Sequence, residues 1–140
     1  SIIIDEGWEQ YWGKRFLNPL DDAESLDYDS NNYIKTIGER VNNLEDIKGQ
    51  YIGLMKFSDI GMEKLLSTYN ELKNFEEQFE LERDINNLFM TDLLMSAIKM
   101  GHKLSPVFIN RKWLEIDNRK DYEIAKKTLI PTNHLFEIIG

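Results

Sequence analysis

Residues 113–118 read Trp113-Leu114-Glu115-Ile116-Asp117-Asn118. In an extended chain successive side chains alternate between faces, so Trp113, Glu115 and Asp117 point one way and Leu114 and Ile116 the other. The stretch is therefore predicted to be a strand, Lys112 to Asp117, ending just before a helix. Two carboxylates on one face suit a hard cation such as magnesium, which takes carboxylate oxygens, its own waters and substrate phosphates. Open α/β sheets also bind ligands at the C-terminal ends of their strands. The same spacing fits a solvated acidic strand end followed by a helix cap.

Downstream, Asn118 is placed to cap a last helix, with Asp121 as its capping-box partner, Tyr122, Ala125 and Leu129 on the inner face and Pro131 as the stop. Upstream, Leu104 to Ile109 reads as a strand separated from the next by Asn110-Arg111, and Gly101 as a helix C-cap. Residues 75–100 read as helical with a break near Thr91. Ser58 caps a helix to about Asn74 that carries Met62, Leu65, Leu66, Tyr69 and Leu72 on one face. Strands are predicted at Gln50 to Phe57, Tyr33 to Ile37 and Glu24 to Tyr28, the last two joined by a turn at residues 29–32. Residues 17–23 form a loop broken at Asn18-Pro19, and Glu6 to Phe16 a helix with Trp8, Tyr11, Trp12 and Arg15 at helical spacing. Ile2 to Ile4 is a short apolar run of the kind buried on both faces. No strand precedes it to pair with. The expectation is an open, hydrophobic edge, and with it homo-oligomer formation by strand pairing. The order β-α-β-β-β-α-α-β-β-α argues for an α/β layered fold in one domain covering residues 1–140.

Composition narrows the function classes. The 140 residues carry a net charge of −8, and the longest basic runs are pairs such as Lys14-Arg15 and Lys126-Lys127. Nucleic-acid binding needs clustered cations to displace phosphate counterions, so a nucleic-acid partner is not expected. The chain has no cysteine, which excludes disulfides, thiolate nucleophiles and cysteine-based zinc sites and fits a reducing, cytoplasmic setting. No apolar run has the length of a membrane span, so no membrane partner is expected.

The segment Trp113 to Lys126, WLEIDNRKDYEIAK, resembles the C-terminal signature of nucleotidyltransferases. Asn18 to Glu24 (NPLDDAE), Gly49 to Phe57 (GQYIGLMKF) and Met90 to Val107 (MTDLLMSAIKMGHKLSPV) are similar to further segments of that group, in the same order. The likeness is strongest to the branch of cytidylyltransferases that handle phosphocholine, aminoethylphosphonate and related small phospho- and phosphono-compounds, often for cell-surface polysaccharides. It implies the C-terminal part of a Rossmann-like nucleotidyltransferase domain, with a mixed sheet and flanking helices. It also implies transfer of a nucleotidyl group from a nucleoside triphosphate, CTP first among them, to a small phosphorylated acceptor, with magnesium as cofactor and release of pyrophosphate. Carried over residue by residue, Asp117 is the metal ligand and Glu115 a second ligand or an acceptor contact.

The family's glycine-rich phosphate loop has no counterpart among these residues, where no glycines form a GxG cluster. The missing N-terminal half of the domain is thus an expected partner, and the chain alone is expected to be inactive. The family's other metal aspartate is also absent unless Asp5, after the first strand, stands for it, and its counterpart is expected just upstream of these residues. Two rival readings are the corresponding part of a sugar-1-phosphate nucleotidyltransferase and a non-catalytic module kept for binding or assembly.

Further substrate-binding candidates are Arg15, Asp22 and Glu24, which flank a loop lying near the acceptor pocket in the family. Arg15 is suited to an acceptor phosphate, although each of the three also fits a surface ion pair. Asp92 is either a helix N-cap or a polar group near the acceptor. Tyr51 and Gly53 share a strand face, where glycine lets a ligand approach the backbone or marks a bulge. Trp113 with Trp8 and Trp12 has the makings of an aromatic box for a quaternary ammonium, although the helical pair fits core better. His102 and His134 are isolated and assigned no role.

Overall fold

The computed structural model describes residues 1–75 and 83–129. Pro131 and His134 lie outside the described residues, as does part of the helix expected over residues 75–100.

The apolar run at the start forms β1 (Ile2–Asp5), with Ile2, Ile4 and Asp5 fully buried. The open edge expected there is not observed. β1 is the central strand of three, in the order β4-β1-β5, where β4 is Gln50–Met55 and β5 is Pro106–Ile109. It runs antiparallel to β4 and parallel to β5, with Ile3 opposite Val107 and Asp5 opposite Ile109. Both neighbours come from later in the chain, which local periodicity does not reveal. With β1 enclosed, nothing remains of the argument for self-association through it.

A two-stranded antiparallel sheet, β2 (Leu26–Tyr28) and β3 (Ile34–Ile37), lies beside the first. The helices are α1 (Glu9–Arg15), α2 (Asp59–Asn74), α3 (Met90–Lys99) and α4 (Arg119–Leu129). The architecture is α/β with a mixed sheet and flanking helices. Ile2, Ile4, Leu26, Ile34, Ile37, Leu65, Leu94 and Ala97 form one core between the sheets, α2 and α3. A second apolar cluster of Trp8, Tyr11, Trp12, Ala23 and Ile47 sits at the C-terminal end of β1. It supports the site described below.

Two glycines of the GQYIGLMKF segment have structural reasons. A Cβ on Gly49 would lie 2.6 Å from Ile4 Cγ2 and 3.1 Å from the Asp5 carbonyl, so glycine is what lets this segment approach β1. Gly53 has φ +79° in a bulge, where Ile2 pairs with Met55 but Ile4 with Tyr51. The bulge removes the simple alternation that would have aligned Tyr51 with Gly53. A Cβ on Gly53 meets nothing within 4 Å, so only its backbone conformation resists substitution. Gly53→Ala is expected to cost about 1–2 kcal/mol in urea unfolding, and Gly53→Asn less, because asparagine tolerates the left-handed region.

The most consequential departure concerns residues 112–117, which form no strand. Arg111 and Lys112 have φ of 61° and 78°, and two successive left-handed residues carry the chain off the sheet after β5. Ile116, on the side opposite the carboxylates in the strand reading, is 55% exposed. The inner face of α4 also differs from expectation. Asp121 and Ala125 are buried and Ile124 packs on the second cluster, while Tyr122 and Leu129 face solvent. On α2, Leu65 and Leu72 are buried, but Met62 and Leu66 stay exposed. Asp92 is not an N-cap. It stands in the first turn of α3, and its carboxylate accepts the Phe89 N–H at 2.8 Å.

Candidate active site

The site is assembled around one arginine. Arg15, in the last turn of α1, is buried against the rings of Tyr11, Trp12 and Phe16, 5.1–5.6 Å from their centroids. Its nitrogens reach three carboxylates: Nη1 donates to Glu115 at 2.5 Å, Nη2 to Asp117 at 2.5 Å, and Nε to Asp121 at 3.1 Å. A planar guanidinium with donors in a fixed fork suits this multiple pairing. The Lys120 ammonium donates to the Arg15 carbonyl, tying α4 to the end of α1.

Burial opposes the charge on Arg15. Its hydrogen bonds to Asp121 and Glu115 outweigh that effect and hold its pKa above the ordinary guanidinium value. Burial likewise pushes the Asp121 carboxyl up, but bonds from Arg15 and from the Asp117 and Asn118 groups bring it below the usual carboxylate range. The Asn118–Asp121 pairing predicted as a capping box is present: the Asp121 N–H donates to Asn118 Oδ1 at 3.1 Å, and Asn118 Nδ2 donates to Asp121 at 2.9 Å.

The irregular segment 112–117 is fixed by side chains. The Tyr11 hydroxyl donates to the Glu115 carbonyl at 2.7 Å and accepts its N–H at 2.9 Å. Asp5, fully buried, accepts from the Gly7 N–H (2.9 Å), the Arg111 N–H (2.8 Å) and Trp113 Nε1 (2.8 Å). With its oxygens committed to these donors, Asp5 is a clamp between β1 and the loop after β5. Trp113 closes the aromatic cluster, its ring centroid 5.9 Å from Tyr11 and 6.0 Å from Trp12. Trp8 and Trp12 are core, as their spacing suggested, and the cations over this cluster are Arg15 and Arg111.

The structure thus gathers Arg15, Trp113, Glu115 and Asp117 into one place. The Glu115 and Asp117 side chains are 41% and 61% exposed, while Asp121 is buried. Three carboxylates surround one guanidinium, with the Lys120 ammonium on the Arg15 carbonyl, and negative charge is left in excess at the two carboxylates that reach solvent. This is a hard-oxygen donor set. Among the described residues, however, no group of three or more His, Cys, Asp or Glu side chains is arranged to hold a metal ion by itself. Two carboxylates can hold a cation such as magnesium only if it brings further oxygen ligands with it.

Asp22, Glu24 and Asp92 lie in a second group. Asp22 accepts from Trp12 Nε1 at 3.0 Å, on the flank of the aromatic cluster. Asp22 and Glu24, with Arg40 and Arg83, line a cavity of about 440 Å³, and Arg83 pairs with Asp92 at 2.9 Å. Burial, then the nearby charge of Asp92, raises the Glu24 carboxyl above its ordinary value. Gln50, buried, holds Glu24 by its backbone: its Oε1 accepts the Glu24 N–H at 3.2 Å and its Nε2 donates to the Glu24 carbonyl at 2.7 Å. Tyr51 and Gly53 join neither group. Tyr51 packs against the first core, where burial raises its hydroxyl, and Gly53 is the bulge.

No protein-family model matches the chain, and no solved structure matches it significantly. Over 132 residues, 89% of the chain, it is 36% identical to the CTP:phosphoglutamine cytidylyltransferase of Campylobacter jejuni subsp. jejuni serotype O:2, and the chain spans about half of that protein's length (48%). Among the described residues no helix is long and apolar enough to cross a membrane. The likeness to cytidylyltransferases of the nucleotidyltransferase superfamily that the motifs carry is matched by a relative aligned with nearly the whole chain, over a share of its length that fits a C-terminal part.

Proposed function

We propose that this chain is the acceptor- and metal-binding part of a CTP-dependent cytidylyltransferase, a single unit forming the C-terminal portion of a Rossmann-like nucleotidyltransferase domain. The observation that carries the reading is the convergence of Glu115 and Asp117, both exposed and both held by Arg15. In the proposed reaction a phosphate or phosphonate oxygen of the acceptor attacks the α-phosphorus of CTP. The bond to the leaving pyrophosphate breaks as the new P–O bond forms. Asp117, with Glu115, would hold magnesium, which when bound supplies charge neutralisation between the two anionic reactants. Everything else asked of these residues is positioning. Arg15 has its nitrogens turned to carboxylates and its side chain 2% exposed. It is therefore read as the residue that aims Glu115 and Asp117, in place of the phosphate contact expected from sequence.

The cavity at Asp22 and Glu24 is the proposed acceptor pocket. Carboxylates and arginines side by side suit a small zwitterionic compound carrying both a phosphate and an amine or amide. The relative's acceptor, by its name, is phosphoglutamine, which is of this kind. The proposed setting is the decoration of cell-surface polysaccharides.

Pyrophosphate release from CTP with a panel of small phospho- and phosphono-acceptors tests the reading. The product of the full open reading frame is expected to turn over, and the 140-residue chain by itself not to. Asp117→Asn in the full product is expected to lower kcat by roughly 10²–10³, the scale on which removing one charge-stabilising group acts. Turnover by the full product that is indifferent to Asp117→Asn would overturn the assignment, and absence of turnover with every nucleoside triphosphate would overturn the activity.

A further inference from the structure

Two arginines share the Tyr11 ring. The guanidinium carbon of Arg15 lies 5.6 Å from its centroid, and that of Arg111 lies 4.7 Å away. Arg15 turns its nitrogens to three carboxylates. Arg111 does not. Its Nη1 is buried and has no hydrogen-bond partner among the described residues. The carboxylate beside it, Asp5, has Oδ2 3.9 Å from that nitrogen, beyond hydrogen-bond reach. That oxygen already accepts from Trp113 Nε1, while Oδ1 accepts the Gly7 and Arg111 N–H groups. Asp5 therefore balances the charge of Arg111 without taking up its guanidinium donors.

The placement of Arg111 is specified by its surroundings. It follows β5 by two residues, at the C-terminal ends of the parallel strands β1 and β5, where open α/β sheets bind ligands. Its φ of 61° is a conformation that suits glycine or asparagine better, yet an arginine stands there. A Cβ on Gly7 would lie 2.9 Å from Arg111 Cγ and 3.0 Å from Cδ, so glycine leaves room for the arginine stem. The side chain is 25% exposed, so part of it reaches solvent. Tyr11 also ties it to the reaction centre: the ring carries Arg111, and the hydroxyl bonds both backbone groups of Glu115.

We propose that Arg111 contacts a phosphate oxygen of the nucleotide beside the Glu115–Asp117 pair, an inference that rests on the cytidylyltransferase reading above. A planar guanidinium held on an aromatic face, with donors that no carboxylate takes up, matches a phosphate oxyanion in charge and shape. The proposed acceptor pocket has arginines of its own, Arg40 and Arg83. The phosphates for Arg111 to meet are therefore those of the nucleotide.

Calorimetric titration of the full reading-frame product with CTP and magnesium tests this, alongside pyrophosphate release with whichever acceptor of the panel turns over. Arg111→Met keeps a stem over Tyr11 and removes the charge. It is expected to weaken CTP binding and raise the KM for CTP at least about tenfold, the scale of one hydrogen bond to a charged group. The KM for the acceptor should stay unchanged, and Arg111→Lys should recover part of the loss. If Arg111 serves only as counter-ion to Asp5, Arg111→Met lowers stability in urea and leaves CTP affinity unaltered, which would overturn the proposal. A rise confined to the acceptor's KM would overturn it too, by moving the contact to the other reactant. The titration needs no turnover, so the two readings fail separately. Weaker CTP binding by Arg111→Met, with no turnover by the wild type, would remove the proposed reaction and keep this contact. Turnover with CTP affinity indifferent to Arg111→Met would remove the contact alone.

Discussion

Replacing Arg15 by alanine is expected to cost about 3–5 kcal/mol of stability, the range for breaking a buried ion pair from one side. The loss falls mainly on Asp121, whose side chain is 1% exposed and would be left as an uncompensated buried charge. Arg15→Lys is not a rescue, because a single ammonium cannot reach Glu115, Asp117 and Asp121 with three separately directed nitrogens. The double change Arg15→Met/Asp121→Asn is expected to recover much of the loss, because it removes the stranded charge. Urea unfolding measures all three, and a shift of under about 1 kcal/mol in Arg15→Ala would mean that the cluster is no anchor. The same pair makes stability depend on pH. The folded-state pKa of Asp121 is depressed, so its contribution is complete above the unfolded carboxyl value near pH 4 and is lost as pH falls through the lower folded value. Arg15→Ala is expected to reduce that acid-range slope, the bonds from the Asp117 and Asn118 groups remaining.

Asp5→Ala is expected to be almost as damaging, by roughly 3–5 kcal/mol. It leaves the half-buried Gly7 and Arg111 N–H groups and the Trp113 indole N–H without their acceptor, and an unpaired donor costs up to about 1–3 kcal/mol when buried. Asp5→Asn keeps one accepting oxygen and should fall between the wild type and the alanine variant. Because Asp5 holds the segment that bears Glu115 and Asp117, the alanine variant should also loosen that segment. Faster amide exchange over residues 113–117, at a denaturant-free pH where the protein remains folded, is the expected sign. A variant that unfolds in two-state fashion with unaltered exchange there would show Asp5 to stabilise the sheet without positioning the site.

Much of the fold was legible because it follows from local pattern. The Ser58 cap is used as read, with its Oγ accepting the Gly61 N–H at 3.2 Å, and so is the Asn118–Asp121 pairing. The turn at residues 29–32 joins β2 and β3 as expected, with Asp29 accepting the Tyr33 N–H at 2.9 Å. The central position of β1 was not legible, since its partners lie about 50 and 105 residues downstream, at Gln50–Met55 and Pro106–Ile109. Alternation in residues 112–117 misled for a related reason. A two-residue period describes a strand only where a neighbouring backbone is available to pair, and here the partners are the side chains of Tyr11, Asp5 and Arg15.

Of the residues named from sequence, the structure brings Arg15, Trp113, Glu115 and Asp117 together, in an arrangement the sequence did not show. Glu115 and Asp117 do meet, through Arg15 and without a strand face. Asp121 was read only as a cap. Placing it inside the protein required knowing that an arginine from α1 waits there, and apolar periodicity cannot signal a buried carboxylate. The signal available for Arg15 was its place on the stripe of Trp8, Tyr11 and Trp12, where a cation must be paired or stacked to be buried. Gln50 was missed although it sits in a quoted motif. Its task, holding both backbone groups of Glu24, becomes visible only when β4 is placed beside residue 24.

Glu115 and Asp117 are proposed to hold a divalent cation together with the nucleotide, and manganese titration followed by electron paramagnetic resonance tests this. The full reading-frame product should bind manganese weakly by itself and much more tightly once CTP is present, because two carboxylates need phosphate oxygens to complete the site. Glu115→Gln/Asp117→Asn should weaken the CTP-dependent binding by at least about tenfold, as Arg15 remains to keep the segment in place. Equal manganese binding by the wild type and this variant in the presence of CTP would contradict the account and place the metal elsewhere in the protein.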